Sequence, residues 1–198
     1  MVIKEESGLK FGFPDDAQVI KFDETVFYRR SFNAFPTSKG MDFISVTPTV
    51  LSFIEIKNCL GDEANCRWRV FPDNQKRETS HSTVDRSGRD SLDIEVSQKV
   101  AATLAALLGA RSFETRRESV KELEAVQDFL FSSKLMDENN DRYVILFLEG
   151  DFASHTRSKK MIMDGLQRSL RTKLRWFNCK VSVVDSSTYC EKIFYLIQ

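Results

Sequence analysis

The stretch GMDFISVTPTVLSFIEIKN, residues Gly40–Asn58, decides how this chain is read. Two runs rich in β-branched and aromatic residues flank Pro48 and Thr49. That is the composition of two short strands around a turn. With the turn centred on Pro48 and Thr49, Ile44 faces Phe53 and Asp42 faces Glu55. Directly opposed side chains on one sheet face have Cβ atoms about 4.5–5.5 Å apart. Two carboxylates that close repel unless a cation or a shared proton lies between them. Lys57 is two residues past Glu55 and points to the same face. That face also carries Ile44, Val46, Leu51 and Phe53, so it is apolar near the turn and charged at the open end. The other face carries Phe43, Ser45, Ser52, Ile54 and Ile56, which predicts a hairpin covered on both sides. A strand with a purely structural task puts such charges toward solvent. Two acids and a lysine on one face suit a divalent cation with an activated water beside it. The register is decisive, because a slip of one residue sends the two acids to opposite faces.

These residues resemble the PD-(D/E)XK nuclease superfamily, the restriction-endonuclease-like fold. Its signature is an Asp at or near a strand start, then Glu-x-Lys or Asp-x-Lys on the next strand. Met41-Asp42 matches the first half and Glu55-Ile56-Lys57 the second. Met41 stands where the motif has a Pro. The resemblance implies a three-layer α/β sandwich with a central mixed β-sheet flanked by helices. It implies that Asp42, Glu55 and the Ile56 backbone carbonyl bind Mg2+ (or Mn2+), while Lys57 orients or activates the attacking water. Glu24 would be an additional metal ligand, supplied from a helix before the hairpin. Gln98, on the helix after the Glu-x-Lys strand, would be an accessory residue near the metal. The activity implied is phosphodiester hydrolysis, with DNA the leading substrate. The alternatives are a catalytically silent module that binds nucleic acid or protein, and an unrelated hydrolase or interaction domain.

Composition agrees with one domain over residues 1–198. The chain is long enough for one sizeable core, and its 29 basic and 29 acidic residues balance. No apolar run reaches the length of a membrane span, and MVIKEESGLKFGF lacks the apolar stretch of a signal peptide. A cytoplasmic setting is the expectation. Cys59, Cys66, Cys179 and Cys190 show no C-x-x-C spacing, which argues for reduced thiols and against zinc.

Outward from the hairpin, residues 14–34 read two ways. Pro14-Asp15-Asp16 suits a helix start, whereas Val19-Ile20 and Thr25-Val26-Phe27-Tyr28 favour strands; the resemblance tips the expectation to a helix or a mixed segment. Val70-Phe71 suits a short strand. A polar loop at about 60–91 follows the hairpin, with Arg67, Arg69, Lys76, Arg77, Arg86 and Arg89 available to phosphates and His81 among them. A helix runs from Ser91 to Gly109, and a second is expected over Glu114–Leu135. YVILFL, Tyr143–Leu148, has the continuous apolar character of a strand buried on both faces. Glu149-Gly150-Asp151 then reads as a turn. A third helix spans about Ser158–Phe177, and Lys180–Val184 and Lys192–Ile197 close the chain as strands. The alternation argues for an α/β sandwich. Lys159, Lys160, Arg168, Arg171, Lys173 and Arg175 load the third helix with positive charge, the pattern of a surface for a phosphate backbone or of a solvated helix. Trp176 and Phe177 are expected to pack in the core or in a dimer. A homodimer fits double-strand cutting.

Overall fold

The computed structural model describes residues 1–35, 39–72, 90–113 and 118–197. It is a mixed α/β structure with two sheets. The main sheet has five strands in sequence order: β3 (Gln18–Lys21), β4 (Phe43–Val46), β5 (Val50–Asn58), β6 (Asp141–Glu149) and β7 (Lys180–Val184). β3–β4 and β4–β5 pair antiparallel, whereas β5–β6 and β6–β7 pair in parallel. The smaller sheet is antiparallel and has the order β1 (Val2–Glu6), β2 (Leu9–Phe13), β8 (Tyr195–Ile197). Among the helices are α1 (Glu63–Cys66), α2 (Leu92–Arg111), α3 (Glu118–Lys121), α4 (Glu124–Phe131) and α5 (Lys159–Lys173).

The hairpin register follows from the pattern of its strands. Ile44 pairs with Phe53, Ser45 with Ser52 and Val46 with Leu51. Thr47 N–H donates to the Val50 carbonyl at 2.8 Å, which closes the turn around Pro48 and Thr49. β5 continues beyond β4 and pairs along its full length with β6, from Val50 opposite Asp141 to Asn58 opposite Glu149.

Alternation along these strands builds two cores. Ile44, Val46, Leu51, Phe53, Val144 and Leu146 share one core with Val96, Val100 and Leu107 of α2, Val126 and Phe129 of α4, and Leu166 and Leu170 of α5. Phe43, Ile54, Ile56, Ile145 and Phe147 pack on the small sheet through Phe11, Phe13 and Phe194. The main sheet is therefore flanked by helices on one face and by a second sheet on the other. The expectation of helices as the flanking layers is corrected on that point.

Other local expectations change as well. Residues 14–34 form a mixed segment: β3, a short 3-10 turn over Phe22–Glu24, and a helical stretch that enters at Val26 and Phe27 and continues as a π-type turn over Tyr28–Phe32. Strand propensity at Val19 and Ile20 prevails because Ile20 pairs with Ile44 and enters the helix-side core. Val70 belongs to a 3-10 turn over Arg67–Val70, where Trp68, Arg69 and Val70 are buried. The expected helix over Glu114–Leu135 is divided into α3, α4 and a 3-10 turn over Ser133–Met136. The third helix ends at Lys173, and Asn178 in the left-handed region turns the chain into β7. Trp176 is exposed, whereas Phe177 packs edge-on against Phe53. No helix among the described residues is long and apolar enough to cross a membrane.

Candidate active site

At the open end of the hairpin, β4, β5 and α2 converge on a cluster of ion pairs. Met41 N–H donates to Thr103 Oγ1 at 3.0 Å, which fastens the entry to β4 onto α2. Asp42 follows, and its Oδ2 accepts from Ile56 N–H at 2.7 Å. A single side chain thus continues the β4–β5 ladder one step past its last backbone pair. In an extended strand a residue's N–H and C=O point to the same edge. The Ile56 carbonyl is therefore directed to the Asp42 side.

Glu55 has 0% exposure and lies on the helix-facing side, as do Asp42 and Lys57. Lys57 Nζ is 2.7 Å from Glu55 Oε1 and 3.2 Å from Glu95 Oε1. Lys99 Nζ is 2.6 and 2.7 Å from the two Glu55 oxygens and 3.2 Å from Asp42 Oδ1. Arg69 pairs with Glu95 Oε2 and donates from Nε to the Asp90 carbonyl at 3.2 Å. The three carboxylates of Asp42, Glu55 and Glu95 thereby meet the three cations of Lys57, Arg69 and Lys99.

The helix supplies half of this network through its spacing. Glu95, Lys99 and Thr103 recur every four residues and lie on one face of α2. All three are buried against the hairpin. Asp93, two residues before Glu95 and so on another face, faces α5 instead, where Ser169 donates to it at 2.7 Å and Lys173 pairs with it at 2.9 Å.

The electrostatics follow from burial and neighbours. Burial pushes the Glu55 carboxyl up, Asp42 adds to that, and Lys57 and Lys99 oppose it. Burial works against the charged form of Lys57, but the carboxylates of Glu55, Glu95 and Asp42 outweigh it and raise its pKa. Burial also disfavours ionised Glu95, yet Lys57, Arg69 and Lys99 bring its pKa to about 2.

Glu95 therefore links stability to acid. Its folded pKa lies below the ordinary 4.5, so its contribution is fully present above pH 4.5 and fades as pH falls toward about 2. The size is on the order of 3 kcal/mol. Glu55 has the opposite sign, since its raised pKa favours the fold below 4.5 and weakens it as pH rises. Urea unfolding between pH 5 and 3 is expected to show a steep loss of stability in the wild type and a flatter one in Glu95→Gln. Equal slopes would show that Glu95 is not held ionised by this network.

The sequence-derived site residues divide clearly by position. Asp42, Glu55 and Lys57 come together, with Ile56 between them. Glu24 is exposed and pairs with Lys21 at 3.0 Å, outside the cluster. Burial raises the pKa of its neighbour Asp23, Lys21 opposes this, and the charges of Asp42, Glu6 and Glu24 add to it. Gln98 is exposed on α2, and the adjacent Lys99 is the side chain that reaches the site. Arg69, expected in a polar loop, is buried in the cluster, and Arg67 is exposed. Lys76, Arg77, His81, Arg86 and Arg89 lie outside the described residues. On α5, Lys159 pairs with Asp185 at 2.7 Å, Lys173 with Asp93 at 2.9 Å, and Arg171 donates to the Val181 carbonyl at 3.5 Å. Lys160, Arg168 and Arg175 are exposed.

Glu95, Lys99 and Arg69 are the site residues that sequence reasoning missed. The legible signal was the four-residue spacing of Glu95, Lys99 and Thr103, which aligns them on one face of the helix. Among the described residues there is no group of three or more His, Cys, Asp or Glu able to hold a metal ion. The donor set of Asp42, Glu55 and the Ile56 carbonyl consists of hard oxygens, the type that suits Mg2+. A positive charge already lies between the two carboxylates, in the ammonium of Lys99.

A family described as "Family of unknown function (DUF6661)" matches residues 25–198. The chain belongs to that family. The matched stretch begins after β3 and takes in every residue of the ion-pair cluster. No curated protein and no solved structure matches the chain.

Proposed function

We propose that this protein is a divalent-metal-dependent nuclease that hydrolyses phosphodiester bonds, with DNA as the substrate. The observation that carries the reading is the convergence of Asp42, Glu55 and Lys57 at the open end of one hairpin, on its helix-facing side. The setting supports it: a mixed sheet places the Asp strand beside the Glu-x-Lys strand, and the following helix leans polar side chains onto both. The fold we infer is a restriction-endonuclease-like core in which helices cover one face of the mixed sheet and the small sheet covers the other.

In this reading Asp42, Glu55 and the Ile56 carbonyl hold Mg2+ or Mn2+. A bound divalent ion supplies a water of lowered pKa and stabilises charge on the phosphate. Asp42 has one oxygen tied to Ile56 N–H and presents the other to the site, which fixes its orientation. Lys57 remains protonated between Glu55 and Glu95 and places a positive charge where a phosphate oxygen or an attacking water can be held. Glu95, held by Arg69, positions Lys57. Arg157, Arg168 and Lys173 line one groove beside α5 and offer a path for the phosphate backbone. A homodimer is the assembly this reading favours for cutting both strands.

The competing reading is a catalytically silent module of the same fold that binds nucleic acid or protein. The complete pairing of the three acids with three cations favours it. Cleavage of plasmid, linear and single-stranded DNA with Mg2+ or Mn2+ separates the two. Lys57→Ala is expected to reduce cleavage by at least about a hundredfold while the fold is retained. Equal cleavage by both proteins would refute the role of Lys57. Nucleic-acid binding without cleavage in either would select the silent module.

A further inference from the structure

We infer that Lys99 is a built-in counter-cation that competes with divalent metal for the Asp42–Glu55 pair. The inference rests on the nuclease reading only in taking that pair as the cation site. Lys99 Nζ donates to both Glu55 oxygens, at 2.6 and 2.7 Å, and to Asp42 Oδ1 at 3.2 Å. Asp42 Oδ1 is the oxygen left over once Oδ2 has accepted from Ile56 N–H. The ammonium therefore occupies the gap between the two acids and the same carboxylate oxygens that a metal ion would need, so it opposes a second cation there by charge and by position.

Charge balance points the same way. With Lys99 in place, the cluster has equal numbers of acids and bases, and a divalent ion would leave it strongly positive in a largely buried setting. Without the Lys99 charge, the cluster has one net negative charge and a gap between two carboxylates. Lys57 is not the competing cation, because Glu95 gives it a second partner away from that gap. Arg69 is removed from it altogether, as it pairs with Glu95 and donates to the Asp90 backbone carbonyl. Lys99 reaches the gap from α2 on a flexible four-carbon stem, so it can withdraw by side-chain rotation while the helix stays fixed. Helix α2 is itself anchored one turn further on, where Thr103 holds Met41 N–H.

The test is a titration with Mn2+ alone, read by isothermal calorimetry and by Tm, on four proteins. These are the wild type, Lys99→Met, Lys99→Arg and the double variant Lys99→Met/Asp42→Asn. Lys99→Met removes the charge at similar length and is expected to bind Mn2+ at least about tenfold more tightly than the wild type. Its Tm is expected to rise with Mn2+. Lys99→Arg keeps the charge and is expected to bind as weakly as the wild type, and the double variant is expected to lose the gain. Equal affinity in the wild type and Lys99→Met, lost on Asp42→Asn, would overturn the competition and leave the metal site standing. Absence of Mn2+ binding in Lys99→Met would overturn both. If Lys99→Met does not fold without metal, Lys99→Gln takes its place with the same expected gain, and an affinity equal to the wild type overturns the proposal.

Discussion

Glu55→Ala is expected to destabilise the protein by about 3–5 kcal/mol and to abolish any cleavage. Glu55 is inaccessible to solvent, and its two oxygens contact both Lys57 and Lys99 at 2.6–2.7 Å. Removing it leaves two ammonium groups in a buried setting with less than their balance of negative charge. Loss of one partner from a buried pair costs more than the pair contributes, because the orphaned charge keeps its desolvation penalty. Asp42 and Glu95 give partial compensation, each holding one of the two lysines. Glu55→Gln retains shape and hydrogen-bonding capacity, so it is expected to cost less than Glu55→Ala. Asp42→Asn, at the partly exposed end of the cluster, is expected to cost less again. Urea denaturation at pH 7 measures all three. A Glu55→Ala cost below about 1 kcal/mol would mean that water screens this network, and the compact ion-pair geometry would then be wrong.

How far the hairpin could be read from sequence has a physical explanation. Its strands alternate with period two, and Pro48-Thr49 fixes the centre of the turn, so register and face follow together. β6 was legible because a strand buried on both faces must be apolar throughout, and YVILFL is. β1 and β2 were missed, although Ser7 and Gly8, both at positive φ, form the two-residue turn of a hairpin. β1 is a charged edge strand, and VIKEE has too little apolar alternation to announce itself. Lys99 and Glu95 were hidden for a different reason. Reading a helix by its apolar stripe assigns every charge to the solvent side, whereas α2 buries charged side chains because their partners come from another element. The spacing of Glu95, Lys99 and Thr103 shows that they share a helix face, but which partners that face meets depends on tertiary contact and is not encoded locally. Arg69 was misplaced likewise, since its partner Glu95 is 26 positions away along the chain.

Phe11→Ala is expected to cost about 3–5 kcal/mol, the loss for a large ring deleted from a tight core. Phe11 lies at 0% exposure on β2, and it meets Phe43, Phe147 and Phe194 edge-on at centroid distances of 5.9, 5.3 and 5.6 Å. Those partners come from β4, β6 and the segment leading into β8, so one ring fastens the small sheet across the central strands. The core it fills also contains Ile54 and Ile56, the neighbours of Glu55 along β5. A cavity there would loosen the strand that positions Glu55 and Lys57 from behind. β1 and β2 lie before the family-matched residues 25–198, yet this packing is expected to make them part of the same cooperative unit. Phe11→Leu keeps much of the volume and is expected to cost less than about 2 kcal/mol. Thermal unfolding compares the two variants, and hydrogen exchange reports whether β4 and β5 lose protection together with β2. A Phe11→Ala protein that melts like the wild type, with faster exchange confined to β1 and β2, would show the small sheet to be an appendage that leaves the site's support intact.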